Sequence, residues 1–588
     1  MACDEYLTPS LNGFIWHLLS CSEQAAEVLA ERFSLPIATA RILLENGISL
    51  ETAQAFLFPK LKEQLPHPFS LKDMEKAAKR MAKAVINGEP IGIMGDYDVD
   101  GATSTSALKL YLEKCGIQVL TFIPEREDGY GPNAKKMQEY KNAGCSVVAT
   151  LDCGTTAFEP VQFGTDLGLD VIILDHHNAE STLPNAYAVV NPKRLDEAVD
   201  HPCHHLAAVG VVFLFIVALN KILREQGFWK NKTEPNLIQF LDLVAFGTIC
   251  DVVKLTGVNR LFVKTGLVQM ATGQNMGLSA LARLVNLEEK PNAFHLGYLF
   301  GPRVNACGRV GTSALGAKLL FCQDPYEADI LAHEMETFNS LRKEIENDVL
   351  AQAIQQVENR TKDTPFIVVK GDNWHCGVIG IVAGRLKERY NLPVFALTQE
   401  KDELKGSARS VIGVDVGDLI MQALAQGILS HGGGHPMAAG FSLQPGKLDE
   451  FVAFLHKHIK EEQVRSAVPS LDIFGVFNLS GINLEFAKSL QLLEPFGEGN
   501  KEPLFVIQHV RIPYCNLLKN GHISCTLTNE AGLTMRAVAF HAADTEMGRQ
   551  ILASHGNHFF DVAVTVHATI WRGTEQVQIH IVDMRSAV

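Results

Sequence analysis

Pro90-Ile91-Gly92-Ile93-Met94-Gly95-Asp96-Tyr97-Asp98-Val99-Asp100-Gly101 is the stretch that decides the fold. Its apolar run has the length of a buried strand and stops abruptly at acids bounded by glycine. Thr103–Cys115 then has helical spacing, and Gln118–Ile123 reads as a second strand. The same pattern recurs downstream: the strand Ser146–Leu151 ends at Asp152, and the strand Asp170–Leu174 ends at Asp175-His176-His177. Strands separated by helices of this length predict βαβ units and a largely parallel sheet. In such a sheet, ligands gather beyond the carboxyl ends of the strands, near a topological switch point. Those ends carry Asp96, Asp98, Asp100, Asp152, Asp175, His176 and His177, and a helical stretch from Leu206 through Gly247 leads to a further acid, Asp251.

Carboxylates converging on one rim are costly unless cations neutralise them. Carboxylate with some imidazole suits Mn²⁺ or Mg²⁺, and nothing here suggests thiolate-rich zinc ligation. Two such ions roughly 3.5–4 Å apart can activate water and stabilise both oxygens of an in-line phosphoryl displacement. A single Asp at a strand end is more often a helix N-cap, and Asp100-Gly101 by itself is a turn. Recurrence at equivalent positions favours the metal reading. His201, Cys203, His204 and His205 have no second half at ligand spacing and are not read as a metal site.

Working outward, residues 1–88 read as a helical region, with apolar spacing in Ala25–Phe33, Ile37–Leu44, Leu50–Phe56 and Leu71–Ile86. The catalytic α/β domain spans 89–324, and one long amphipathic helix over 325–362 connects it to a second, smaller α/β domain at 363–462. Residues 463–588 alternate with period two in Leu504–Val510, His522–Thr528, Leu533–Phe540, Val562–Trp571 and Gln576–Val582, which predicts a small β-barrel. The 588 residues are 47% apolar and 20% charged, which excludes wholesale disorder. A net charge of −14 argues against a polycation that coats nucleic acid by bulk charge. The chain begins without a secretory signal, and its most apolar run, Leu206–Leu219, is too short to span a bilayer. None of the twelve cysteines forms a C-x-x-C pair, so they read as reduced cytoplasmic thiols.

Together, Gly95–Gly101, Asp152-Cys153-Gly154, Asp175-His176-His177 and Gly247-Thr248-Ile249-Cys250-Asp251 resemble the DHH phosphoesterase superfamily. The chain is similar to its RecJ branch of single-strand-DNA-specific exonucleases over nearly its whole length, through Gly301–Arg309, Trp374–Ala383, Gly406–Ser410, Gly432–Gly440 and Leu493–Asn500. The resemblance implies a parallel-sheet DHH domain, a DHHA1-type second domain and a C-terminal OB-like barrel. It implies that Asp98 and Asp152 hold one divalent cation, with Asp96 completing or supporting that site. Asp100, Asp152, His176 and Asp251 hold the second, and His177 faces the scissile phosphate. Catalytic roles thus fall on Asp98, Asp100, Asp152, His176, His177 and Asp251, and no protein nucleophile is needed. Arg126, Arg309, Ser407 and Arg409, with Gly433, Gly434 and His435, resemble the family's pocket for a 5′-terminal phosphate, which suits forked, always-charged donors.

The implied activity is 5′→3′ hydrolysis of single-stranded DNA to 5′-mononucleotides in repair and recombination. A helicase and a single-strand-binding protein are implied as partners, and a monomer away from membranes is expected. In the barrel, Tyr514, Phe540, Phe559 and Trp571 read as either stacking platforms or core. A duplex is expected to be excluded by a narrow passage between the two lobes. Two alternatives stay open at this point: a superfamily enzyme for small substrates, which would not need the barrel, and a non-catalytic DNA-binding protein, which would not need every acid.

Overall fold

The first sheet is built around strands with nothing to show to water. Ile91–Gly95 and Val147–Leu151 are buried at every residue, as central strands covered on both faces must be. The computed structural model describes residues 8–125, 129, 131–360, 364–465, 469–571 and 573–587. In it, Ile91–Gly95 pairs in parallel with Val119–Phe122 on one side and with Val147–Leu151 on the other. Asp170–Leu174 and Ala188–Val190 extend the sheet, all parallel. The chain leaves Ile91–Gly95 for one neighbour and returns to the other, so the switch point lies between the carboxyl ends of Ile91–Gly95 and Val147–Leu151. Asp96 follows the first of these strands and Asp152 the second. The helix after the acidic turn begins at Val99, four residues earlier than the periodicity suggests, because Asp98 caps it: its Oδ1 accepts from Gly101 N at 3.0 Å.

The helix Pro325–Glu358 has 34 residues and is about 51 Å long at 1.5 Å per residue. Asp324 caps its start and proline occupies its first turn. Arg303 pairs with its Glu336 at 2.5 Å, and its Glu346 takes both Arg342 at 2.5 Å and, from the second domain, Arg385 at 3.4 Å. That domain has a five-stranded mixed sheet. Ile367–Gly371 and Val394–Glu400 are parallel around the helix Cys376–Tyr390, and Glu403–Arg409, Ala438–Leu443 and His431–His435 follow antiparallel. These two domains and their connector, residues 68–251 and 266–467, form one compact unit.

The second unit combines residues 1–67, 252–265 and 468–588. Leu504–Leu517 pairs with Ile523–Thr528, then come Thr534–Ala539, Thr574–Ser586 and Phe560–Trp571, and the last returns to pair with Leu504–Leu517. This is a closed five-stranded barrel with one parallel pair, Thr534–Ala539 beside Thr574–Ser586. Phe505, Ile507, Ile523, Leu527, Val562, Val564 and Ile579 fill its interior. The 1–88 region is not purely helical. Ile15–Leu18 is a strand, paired in parallel with Ser470–Ile473 of the strand Ser470–Phe477. Four residues are too few for a period-two signal, and the partner strand lies more than 450 residues away. No helix among the described residues is long and apolar enough to cross a membrane, and Leu206–Leu219 lies at the start of and within the buried helix Ala208–Glu225.

Candidate metal centre

Three elements deliver the acids. Asp96, Asp98 and Asp100 come from the turn after Ile91–Gly95, where the chain folds back so tightly that a Cβ on Gly101 would sit 2.4 Å from Asp96 O. Asp152 ends the next strand with φ 61°, a left-handed conformation that Asp tolerates better than most residues. Asp251 arrives from a helix, as the C-cap of Leu241–Cys250. That helix packs directly against the acidic turn: a Cβ on Gly247 would lie 2.4 Å from Thr103 Oγ1 and 3.0 Å from Asp100 Oδ1.

Ligand atoms of Asp96, Asp98 and Asp152 lie within 4.8 Å of one another, as do those of Asp100, His176 and Asp251, and those of Asp152, His176 and His177. His176 Nε2 is 3.3 Å from Asp152 Oδ1, 3.5 Å from Asp251 Oδ2 and 3.9 Å from Asp100 Oδ2. The other ring nitrogen, Nδ1, donates to Leu206 O at 3.1 Å, which leaves an Nε2 lone pair facing the carboxylates. Ligating histidines are held this way. Asp100 does double duty, since its Oδ2 and Oδ1 accept from Ala208 N at 2.6 Å and Val209 N at 2.9 Å, capping the helix Ala208–Glu225.

Asp175 has a different task. It accepts from Thr155 N at 3.0 Å, His176 N at 2.7 Å and His177 Nδ1 at 2.8 Å. Burial opposes its charge, but the His177 hydrogen bond and charge, the Thr155 hydrogen bond and the charge of His176 together outweigh burial and hold the carboxyl well below its usual range. Burial likewise opposes charge on His177, yet Asp175 lifts that imidazole to about 9. Asn191, which follows the edge strand, donates to Thr155 Oγ1 at 2.9 Å and His177 O at 2.8 Å. The sequence pattern puts Asp175 with the rim acids, whereas the structure turns it toward His177; Asn191, for which the sequence suggests no role, has the same signal of a polar residue closing an apolar strand.

The donor set fits hard divalent cations. Burial first, and neighbouring carboxylates second, push Asp100 up to about 7 and Asp251 up to about 9, and raise Asp152 well above the carboxylate range. Burial holds His176 down at about 3, in the neutral form a ligand requires. Asp251 Oδ2 is buried with no hydrogen-bond partner among the described residues. Oxygen donors with one or two imidazoles in this crowding call for cations to share.

Most of the residues expected to hold a phosphate lie in the second domain, and Arg309 reaches it from the first. Arg309 Nη1 donates to Gly377 O at 2.9 Å, at the start of the helix Cys376–Tyr390. One turn on, a Cβ on Gly380 would lie 3.0 Å from Ser407 Oγ and 3.1 Å from Arg409 Nη2. Sheet register then places Ser407, Gly440 and Gly433 in one row, and Arg409, Ala438 and His435 in another. Alternate residues of a strand share a face, so both rows face the same way. Gly433, Gly434 and His435 lie on an exposed edge strand, whose outer backbone groups have no strand partner among the described residues. Burial lowers the Arg409 guanidinium, and among the described residues no carboxylate pairs with it. Arg126 lies outside the described residues. Of the barrel aromatics, Tyr514 is 74% and Phe540 50% exposed, and Arg511 lies 4.1 Å over the Phe559 ring.

A parallel sheet with paired carboxylate clusters at its switch point, joined to a glycine-rich second domain, defines a metal-dependent phosphoesterase of the DHH class. Residues 90–248 match the DHH family, N-terminal domain; residues 363–461 match the DHHA1 domain; and residues 475–583 match the RecJ OB domain. The chain is 33% identical over 574 residues to the single-stranded-DNA-specific exonuclease RecJ of Escherichia coli, covering 95% of this chain and 97% of that protein. It is 34% identical to RecJ of Salmonella typhimurium, covering 96% and 98%. It spans 66% of the longer Bacillus subtilis RecJ, at 32% identity and with 91% of this chain matched. The Mn²⁺ complex of Thermus thermophilus RecJ superposes with a TM-score of 0.80 at 28% identity, covering 97% of this chain and 80% of that one, and the Mg²⁺ complex with 0.75 at 27% identity, covering 97% and 78%. The chain belongs to the RecJ family of exonucleases.

Proposed function

We propose that this chain hydrolyses single-stranded DNA from its 5′ end, releasing 5′-mononucleotides, with two divalent cations, Mn²⁺ or Mg²⁺. The observation that carries the reading is the division of the rim into two ligand groups, Asp96, Asp98 and Asp152 against Asp100, His176 and Asp251, with Asp152 beside His176. Asp152, in the first group and 3.3 Å from His176 of the second, would help to hold both cations. When bound, such ions supply Lewis acidity and charge neutralisation for attack of water on a phosphodiester. Asp175 keeps His177 protonated and turned to the rim, so its imidazolium is placed to donate to a non-bridging phosphate oxygen. Arg309, Ser407 and Arg409 around the start of the Cys376–Tyr390 helix offer forked donors and a helix N-terminus to a terminal phosphate. An enzyme that anchors the 5′ phosphate cuts the linkage next to it, which accounts for polarity. DNA repair and recombination is the setting the family implies, with a helicase and a single-strand-binding protein as partners.

The test is Asp98→Ala and Asp152→Ala on a 5′-labelled oligonucleotide. Both should lose Mn²⁺-dependent hydrolysis while keeping most strand binding, and hydrolysis at the wild-type rate in either would remove the assignment.

A further inference from the structure

Phe294 and Tyr298 are large aromatics left in the open, 57% and 71% exposed, yet ordered against each other with ring centroids 5.1 Å apart and planes at 26°. They sit at the start of and within a π-helix, His295–Phe300, an element that is rare and concentrates at functional sites. The backbone beneath them is firmly held. His295 is buried, its Nε2 lies 3.1 Å from Glu289, and it exchanges capping hydrogen bonds with Asn292: Asn292 N to His295 Nδ1 at 3.2 Å, and His295 N to Asn292 Oδ1 at 3.1 Å. Phe300, fully buried, packs edge-on against Phe246 at 6.2 Å.

The position matters as much as the exposure. The π-helix lies on the last turn of the helix that ends in Asp251. Cys250 Sγ donates to Leu296 O at 3.5 Å, and a Cβ on Gly301 would meet that sulfur at 2.6 Å. The next helix, Gly301–Val310, carries Arg309. The aromatic pair therefore lies at the start of and within a segment that packs on the end of the helix leading to Asp251, an expected metal ligand, and that runs directly into the helix carrying Arg309, an expected phosphate anchor.

We propose that Phe294 and Tyr298 form a stacking platform for a nucleobase of the single strand held at the metal centre. The proposal rests on the exonuclease reading above and extends it from the phosphate to the base. Every base has a π-face, so such a platform holds a strand without reading its sequence. A pre-stacked ring pair also loses little freedom when a base joins it. A duplex, whose bases are already stacked, offers this platform nothing, so the site also favours single strands.

The experiment compares KM for a 5′-phosphorylated oligonucleotide with KM for the same strand built of abasic nucleotides, in wild-type protein, Phe294→Ala/Tyr298→Ala and Tyr298→Phe. The expected result is a KM about tenfold higher for the abasic strand in wild type, a ratio falling to near one in the double alanine variant, and a ratio kept by Tyr298→Phe. A double variant that keeps the wild-type ratio overturns the stacking site and leaves the exonuclease reading intact. A KM raised equally on both strands also overturns it, since a structural or protein-docking role would not depend on bases. Wild-type protein that degrades neither strand overturns the exonuclease reading and this one with it.

Discussion

The two five-stranded sheets of the larger unit carry their chemistry in different ways. In the parallel sheet, functional groups sit at strand ends: Asp96 after Ile91–Gly95, Asp152 after Val147–Leu151, Asp175-His176-His177 after Asp170–Leu174 and Asn191 after Ala188–Val190. In the mixed sheet, they lie along a face, with Ser407 and Arg409 on one strand, Gly433 and His435 on the glycine-rich strand His431–His435, and the strand Ala438–Leu443 between them. Strand ends concentrate charge, which suits cations. A strand face spaces donors by register, which suits an extended anion such as a phosphate. The comparison predicts that damage to the first sheet abolishes chemistry, whereas damage to the second weakens anchoring.

The largest effect is expected for Asp152→Asn. Asparagine tolerates the left-handed backbone at this position, so the fold is spared, while the carboxylate of the first ligand group that lies 3.3 Å from His176 of the second is gone. Steady-state hydrolysis should fall about 1,000-fold, equivalent to ~4 kcal/mol of transition-state stabilisation. Arg409→Ala should act mainly on KM, raising it about 10–100-fold for strands with a 5′ phosphate and much less for strands with a 5′ hydroxyl. Arg409→Lys should restore only part, because an ammonium lacks the fork. A kcat loss equal to that of Asp152→Asn would erase the distinction between the two sheets.

Ligation should also appear as stability. Mn²⁺ at a hundredfold its dissociation constant adds about 2.7 kcal/mol to the folded state. Calorimetry should show a rise in Tm with Mn²⁺ for wild type, reversed by chelator, and a much smaller rise for Asp152→Asn. The smallest effect lies at the opposite end of the parallel sheet from the acidic rim. Burial opposes charge on Glu89, but hydrogen bonds from Ser146, Asn87 and Arg80 outweigh it and hold the carboxyl at about 2. Its contribution is present above the ordinary value of 4.5 and is lost as pH falls from there toward 2. Glu89→Gln should flatten acid unfolding in that window and leave hydrolysis at neutral pH unaltered.

The same contrast explains what was legible beforehand. Each metal-centre acid follows an apolar run or a helix, so its place could be read from local pattern, and only the switch point needed topology. Asp251 was expected from its motif, but its arrival at a helix end depends on Gly247 packing against Asp100. Asp175 was visible as an acid, whereas its service to His177 depends on hydrogen bonds no spacing encodes. The row that joins Ser407 to Gly433 requires a register across two antiparallel pairings, invisible in a linear chain. The strand Ile15–Leu18 is hidden in the sequence for a related reason, since its partner lies more than 450 residues away. Aromatics four residues apart, as at Phe294 and Tyr298, look in a sequence like an ordinary core stripe, and only exposure sets them apart.

Digestion of one oligonucleotide blocked in turn at its 5′ and 3′ ends, with Mn²⁺ present, tests the account most directly. It predicts 5′-mononucleotides from the 3′-blocked strand and almost none from the 5′-blocked strand. Faster degradation of the 5′-blocked strand would contradict it.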